Sequence, residues 1–452
     1  MPSGLFSLLV VICVITGAII TRKAEICMLV GSLICCIYMY GAGFVTGWCD
    51  LFLESTSNFL DTFLVIACFG ALIALLTEGK GSFGFRKLIA RFCTTQQRTL
   101  LTTIVMCIAI FVDDYLIVLS VGPIMKGVFD ERKLPRESLA FILDSGGAPV
   151  CVMIPWSNWA VFYAALFMSQ DFIRNAGYTS GFAAYISALP FCFYPIFTLL
   201  IVVLFAVGIV PKIGPMKKAY QRVEETGKLY SDDSRKFNRR DEEDYQEGGK
   251  IRDFVIPMGV LIASAILLGS MLPAMVIALF ATAVLYIPRK IVRGRDFLNI
   301  VLRGFCDMMP VIFLCMMAFN IGTIMQYMGL ADFLISVTQS FLTSALMPVI
   351  TFVLVSGLCF CTASLWGMCA VVVPIIFPLA ASLGANPALI MAAVICGGAF
   401  GSHACFYSDC TIMSSNASGI ETMEHAFSQF PYVAISAAAS IIAFIIAGIA
   451  LT

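Results

Sequence analysis

Long apolar runs broken by short charged clusters set the plan of this chain. Met1–Thr21 is an apolar run followed, rather than preceded, by Arg22 and Lys23, which predicts a first membrane span and not a cleaved leader. Asn175–Val210 and Phe254–Pro288 carry no charged side chain. As one helix at about 1.5 Å per residue the second run would exceed about 50 Å, so it predicts two helices. Between Phe333 and Tyr407 the ionisable side chain of note is His403. These runs predict an all-α polytopic membrane protein.

One stretch departs from the pattern. Pro211–Arg252, "PKIGPMKKAYQRVEETGKLYSDDSRKFNRRDEEDYQEGGKIR", is dense in both charge signs and reads as an exposed, mobile cytoplasmic linker. It divides the chain into a first transmembrane repeat, 1–210, the linker, 211–252, and a second repeat, 253–452. The halves resemble each other. Pro123-Ile124 recurs as Pro374-Ile375, Gly146-Gly147-Ala148 as Gly397-Gly398-Ala399, and Ser157-Asn158 as Ser408-Asp409, each time 251 residues on. A common offset over three clusters predicts a duplicated unit, a frequent plan for secondary transporters.

The basic residues orient the halves. All Lys and Arg except Arg174 fall at Arg22-Lys23, Lys80–Arg98, Lys126–Arg136, the linker and Arg289–Arg303, and every cluster is expected on the cytoplasmic side. Thr99–Met125 lies between two of them. It is therefore predicted to enter and return on one side, as a re-entrant hairpin with Asp113 and Asp114 at its tip. Its arms, Thr99–Val112 and Tyr115–Met125, are each too short for a hydrocarbon core of about 30 Å. The offset places a second hairpin at about Pro348–Leu383, with its tip near "CTASLWG", Cys361–Gly367. About five crossings plus one hairpin per half makes the two repeats inverted. Discontinuous helices are expected at "DSGGAPV", Asp144–Val150, and "CGGAFGSH", Cys396–His403, where glycine pairs interrupt helical bonding and freed helix ends can hold a cation.

Composition sharpens this picture. Of 452 residues, 60% are hydrophobic and 12% charged, more apolar surface than a soluble core needs. The formal net charge is zero, so no nucleic-acid partner is expected. The 18 cysteines lie mostly in apolar runs without Cys-x-x-Cys spacing and read as helix filler. The partner expected is the lipid bilayer, and the setting expected is the cell's inner (plasma) membrane. No tightly bound cofactor is expected.

The interior charge is one-sided. Asp113, Asp114, Asp144 and Asp409 fall inside the spans, Asp61 and Asp307 near segment edges, and no Lys or Arg falls inside. An unpaired aspartate at mid-membrane costs about 3 kcal/mol, so it is neutralised by a proton or a cation. A site where these compete is a cation/proton exchanger, and carboxylate oxygens suit hard cations such as Na⁺. Asp114, Asp144 and Asp409 are the candidate Na⁺ ligands. Adjacent aspartates point about 100° apart on a helix, so one of Asp113 and Asp114 can face a cavity while the other caps the returning arm; Asp114 is favoured for the ion. His403 reads first as a hydrogen-bonded structural histidine, and His425 as a solvated loop residue.

Phe111–Phe162, "FVDDYLIVLSVGPIMKGVFDERKLPRESLAFILDSGGAPVCVMIPWSNWAVF", resembles the first signature region of the NhaC-type Na⁺/H⁺ antiporters. Gly401–Val433, "GSHACFYSDCTIMSSNASGIETMEHAFSQFPYV", resembles the second. That family belongs to an ion-transporter group with inverted repeats, re-entrant hairpins and discontinuous helices, and its larger relatives imply a homodimer, with Na⁺ and H⁺ or a small organic solute as the transported partners. The resemblance implies binding roles for Asp113, Asp114, Tyr115, Asp144 and Ser145, and for His403, Ser408, Asp409, Thr411 and Ser414-Ser415. The chain departs from the pattern at Ala404-Cys405-Phe406-Tyr407, where relatives often carry Cys-Ser-Pro-Ile, and at Cys410, where they often carry Thr. Some relatives are proposed to carry organic or amino acids, and the extra tryptophan in "PWSNW" would suit such a cargo. Na⁺/H⁺ exchange is thus the leading expectation and an ion-coupled organic-solute carrier the alternative. An intramembrane aspartyl protease is disfavoured, because its carboxylates must face each other at about 3 Å and neighbours such as Asp113 and Asp114 diverge.

Overall fold

Backbone amides in hydrocarbon find no water, so an apolar chain satisfies them internally by coiling into helices. The computed structural model describes residues 3–21, 24–58, 60–80, 92–238, 250–268, 270–330, 343–362, 365–406 and 408–451, with Ile89 and Phe333 besides. Every α-helix or strand among them is a helix. In chain order these are α1 Ser3–Thr21, α2 Ala24–Tyr40, α3 Phe44–Asn58, α4 Leu60–Gly79, α5 Gln96–Ala109, α6 Asp114–Glu131, α7 Arg136–Gly146, α8 Ala148–Cys151, α9 Asn158–Met168, α10 Asp171–Asn175, α11 Gly181–Ala188 and α12 Phe193–Ala206. The linker contributes α13 Gly214–Thr226. Then follow α14 Arg252–Leu268, α15 Met271–Tyr286, α16 Gly294–Tyr327, α17 Met347–Thr362, α18 Leu365–Ser382, α19 Pro387–Ala404, α20 Asp409–Ser418 and α21 Thr422–Ala450. Among the described residues four segments are long and apolar enough to cross a membrane: Ile26–Ser57, Leu365–Ser382, Pro387–Ala404 and Thr422–Ala450. Gly181–Phe191 and Phe193–Ala206, bent by 52°, form a fifth if they are one broken span. The uncharged run after the linker is two helices, α14 and α15, as its length requires.

The 251-residue offset extends from short motifs to helix boundaries. Helices α5, α6, α7, α9 and α10 begin at residues 96, 114, 136, 158 and 171; α17, α18, α19, α20 and α21 begin at residues 347, 365, 387, 409 and 422. Local chemistry repeats with them. Ser157 caps α9 by accepting the Ala160 amide at 3.1 Å and donates to the Cys151 carbonyl at 2.6 Å. Ser408 caps α20 by accepting the Thr411 amide at 3.2 Å and donates to the Ser402 carbonyl at 2.6 Å.

The first expected hairpin is α5 and α6, packed together across the turn at 110–113. Helix α6 runs on to Glu131, past the Met125 expected from the charge pattern. Its second counterpart is α17 and α18; residues 363 and 364 of the expected tip lie outside the described residues.

The two glycine pairs behave differently. Helix α7 stops at Gly146 and restarts as α8 after Gly147, as expected. Helix α19 passes unbroken through Gly397-Gly398 and ends only at Ala404, contrary to the sequence expectation. The reason is packing. A Cβ on Gly397 would lie 2.6 Å from Val355 Cβ, and one on Gly401 2.1 Å from Cys359 Cβ, so these glycines let α19 and α17 approach closely. Gly70 on α4 and Gly304 on α16 make a similar crossing, each Cβ falling within 2.3 Å of the other's carbonyl oxygen.

The linker is also a correction. Residues 239–249 lie outside the described residues, but 211–238 fold onto the helix ends. Met216, Ala219, Tyr220 and Val223 form a buried face on α13 at helical spacing, packed against α7 and α21. Arg222 reaches Glu137 on α7 at 2.8 Å and Glu424 on α21 at 3.2 Å. Glu424 also accepts from Ser231 at 2.7 Å and Ser234 at 2.6 Å. Mixed charge signalled solvent, but it also serves to tie the linker down.

Candidate ion site at the broken helices

Helix α6 starts at Asp114 because Asp113 caps it, accepting the Leu116 amide at 3.0 Å from an extended backbone. The other Asp113 oxygen accepts from Asn158 Nδ2 at 2.5 Å, and the Asn158 amide donates to the Val112 carbonyl at 3.1 Å. The start of α9 is thereby stitched to the hairpin tip. Asp114 points elsewhere: Trp159 Nε1 donates to Oδ1 at 3.3 Å and Cys410 Sγ to Oδ2 at 2.9 Å. Trp159 and Cys410 are 251 residues apart, so one carboxylate is held by the same position of both halves. Asp113 and Asp114 are 2% and 4% exposed. Of the two readings of the pair, Asp113 takes the capping one.

Beside them lies a cavity of about 50 Å³, lined by Asp113, Asp114, Tyr115 and Asn158 and by Ile66, Phe69, Met308 and Trp366. A water needs roughly 10–15 Å³ by the same measure, so the space suits a few waters or one partly hydrated ion. The Gly70–Gly304 crossing brings α4 and α16 close enough for Phe69 and Met308 to wall it.

Asp144 does not line this cavity. It sits in a second node, 1% exposed, where Oδ2 accepts from Thr411 Oγ1 at 3.1 Å, His425 Nε2 at 3.0 Å and Gln429 Nε2 at 2.8 Å. The first turn of α20 joins the nodes, since Cys410 touches Asp114 and Thr411 touches Asp144. His403 is buried between two hydroxyls, Ser145 Oγ at 3.0 Å from Nε2 and Tyr194 Oη at 2.7 Å from Nδ1. Ser408 is the α20 cap, also bonded to the Thr411 hydroxyl at 2.9 Å. Ser414 is buried with no hydrogen-bond partner among the described residues, and Ser415 bonds the Ile412 carbonyl. Asp409 is the first residue of α20; its side chain lies outside the described residues.

His425 is the main correction at the site. It was expected in a solvated loop; it is fully buried in α21 on Asp144. Glu421 caps α21 by accepting the Glu424 amide at 3.2 Å, which draws 422–429 into the helix. His425 and Gln429, four apart, then share one face. An acidic residue three ahead of Glu424 was the available signal. Gln429 was not singled out, and Cys410 and the PWSNW tryptophans were noted only as departures from the family pattern, because the partners of Gln429, Trp159 and Cys410 are set by tertiary packing.

A family model described as the Na⁺/H⁺ antiporter family matches residues 163–449, well over half of the chain. The chain belongs to that family. The matched region holds His403, Asp409, Thr411, His425 and Gln429, and begins after Asp113, Asp114 and Asp144. An uncharacterized protein of Haemophilus influenzae is 26% identical over 99% of this chain and 91% of its own length. The antiporter-family fold is shared with the solved structure of MtrF from Neisseria gonorrhoeae, described as illuminating a class of antimetabolite efflux pumps. It matches with a TM-score of 0.60 at 14% identity, over 90% of this chain and 85% of MtrF. The protein is an integral membrane secondary transporter of the antiporter family.

Proposed function

We propose that this antiporter-family protein exchanges Na⁺ or Li⁺ for protons at the cavity beside Asp113 and Asp114. The observation that carries the reading is that cavity: two adjacent buried carboxylates facing a water-sized space whose remaining walls are mostly apolar. Two negative charges in so dry a place are costly together, and a proton or a hard cation lowers the cost. Competition between the two for Asp114 couples their movements. Asp113, committed to the cap and to Asn158, fixes the hairpin tip and adds its field. Donors to Asp114 from both halves favour alternating access, because moving one half against the other changes that carboxylate's surroundings. In this reading 1–210 and 253–452 are the inverted repeats, with the linker cytoplasmic.

The test is proteoliposome flux with an internal pH dye. Na⁺- or Li⁺-driven proton movement is expected in the native chain and is expected to be lost in Asp114→Asn. A Na⁺ response that persists undiminished in Asp114→Asn refutes the site. A second reading, an ion-coupled carrier of a small organic solute, draws on the aromatic wall: Tyr115 and Trp366 line the cavity, and Trp366 packs 5.3 Å from Trp159 between ring centroids. A space of about 50 Å³ is small for such a solute, which favours the ion. Uptake of a labelled amino or organic acid without any Na⁺/H⁺ response would decide for the second reading.

A further inference from the structure

Hydrogen-bond accounting around Asp144 leaves a particular set of atoms over. Gln429 Nε2 donates to Asp144 Oδ2 at 2.8 Å and to the His403 carbonyl at 2.8 Å. Both partners are acceptors, which fixes the amide orientation: flipped, it would set oxygen against oxygen. Gln429 Oε1 is therefore the free end, and it has no partner among the described residues. His425 Nε2 faces the same carboxylate oxygen, so it carries a hydrogen, and its Nδ1 is also without a partner among the described residues. Asp144 Oδ1 is the third such atom. Ser414, one turn beyond Thr411 on α20, has a buried hydroxyl in the same condition. Asp144, Gln429 and His425 are 1%, 1% and 0% exposed.

A carboxylate oxygen and an amide oxygen only accept. Each buried acceptor left unmade costs about 1–3 kcal/mol, more when it carries charge. The species that relieves several acceptors and a negative charge together is a cation, and hard oxygen donors fit a small monovalent one. We infer that Asp144 and Gln429, supported by Ser414 and with His425 and Thr411 holding the carboxylate, form a second cation site, separate from the Asp113–Asp114 cavity and linked to it through the first turn of α20. The inference rests on the reading that this region handles Na⁺. It does not depend on exchange with protons.

Radioactive sodium binding to the purified full-length chain in detergent counts sites without transport. Two sodium ions per chain are expected, falling to one in Asp144→Asn and to one in Asp114→Asn. Gln429→Leu and Ser414→Ala keep the carboxylate, which guards against an Asp144 variant that fails to fold. Gln429→Leu is expected to weaken one class of site about tenfold and leave the other unchanged. One ion per chain, lost in Asp114→Asn and kept in Asp144→Asn, overturns the second site, leaving there a water only, while exchange at Asp114 still stands. No bound sodium in the native chain overturns both readings.

Discussion

The crossing of α4 and α16 lends itself to a quantitative test. A Cβ on Gly70 would lie 2.1 Å from the Gly304 carbonyl oxygen and 2.4 Å from Met308 Cγ. Ordinary contact is about 3.4 Å, and the first neighbour is backbone, which cannot rotate away, so Gly70→Ala must push the helices apart by about 1 Å. Overpacking of this kind costs about 1–3 kcal/mol. Phe69 and Met308 wall the cavity beside Asp113 and Asp114, so the same displacement opens it. Thermal unfolding in detergent, with and without NaCl, reads the first effect, and the Na⁺ dependence of proton flux reads the second. Gly70→Ala is expected to unfold earlier and to need more Na⁺ for half-maximal flux. Gly259 on α14 and Gly357 on α17 are the controls, since a Cβ there meets nothing within 4 Å. Their alanine variants are expected to match the native chain or to gain up to about 1 kcal/mol from helix propensity. A Gly70→Ala protein with native unfolding temperature and native Na⁺ response would refute the argument that this contact shapes the cavity.

Two further outcomes follow from local chemistry. Ser157→Ala and Ser408→Ala each remove a cap and a donor to the preceding carbonyl; each is expected to lose about 1–2 kcal/mol, to similar extents, as judged by unfolding temperature. Glu137, at the linker-facing end of α7, is pushed up to about 7 by burial and by Glu424, which together outweigh Arg222. A carboxyl raised in the fold stabilises it when protonated. That contribution is full below the ordinary carboxylate range and is lost as pH rises through about 7. Unfolding temperature is expected to fall over that window, and Glu137→Gln to flatten the fall; an unchanged profile in Glu137→Gln contradicts the assignment.

Helix content, the splitting of 254–288, the hairpin tip and the repeat were legible because each is a property of contiguous residues: run length, charge spacing or a fixed offset. A cap at the Asp113-Asp114 pair was legible for the same reason. What was not legible depended on contacts distant in sequence. Gly397-Gly398 looked like a break, but whether a glycine pair ends a helix or admits a neighbour depends on what lies opposite, here Val355. His425 looked solvated because the residues that bury it, Asp144 among them, are far away along the chain. The charged linker looked free because its partners, Glu137 and Glu424, belong to helices on either side of it. The four interior aspartates were read as one group; the fold sets Asp113 and Asp114 at the cavity and Asp144 at its own node.

Asp114 accepts from Trp159 and Cys410, one from each copy of the repeat. The position that copies Asp114 in the second half is 365, and it holds Leu365, 4% exposed. A rotation exchanging the two halves would carry residue 114 to 365 and exchange 159 with 410, so the same pair of donors would serve both places. Acids at both places would crowd two like charges onto a single pair of donors. With Leu365 at the copied place, that pair of donors is left to a single carboxylate, and the two halves differ in charge at their shared centre.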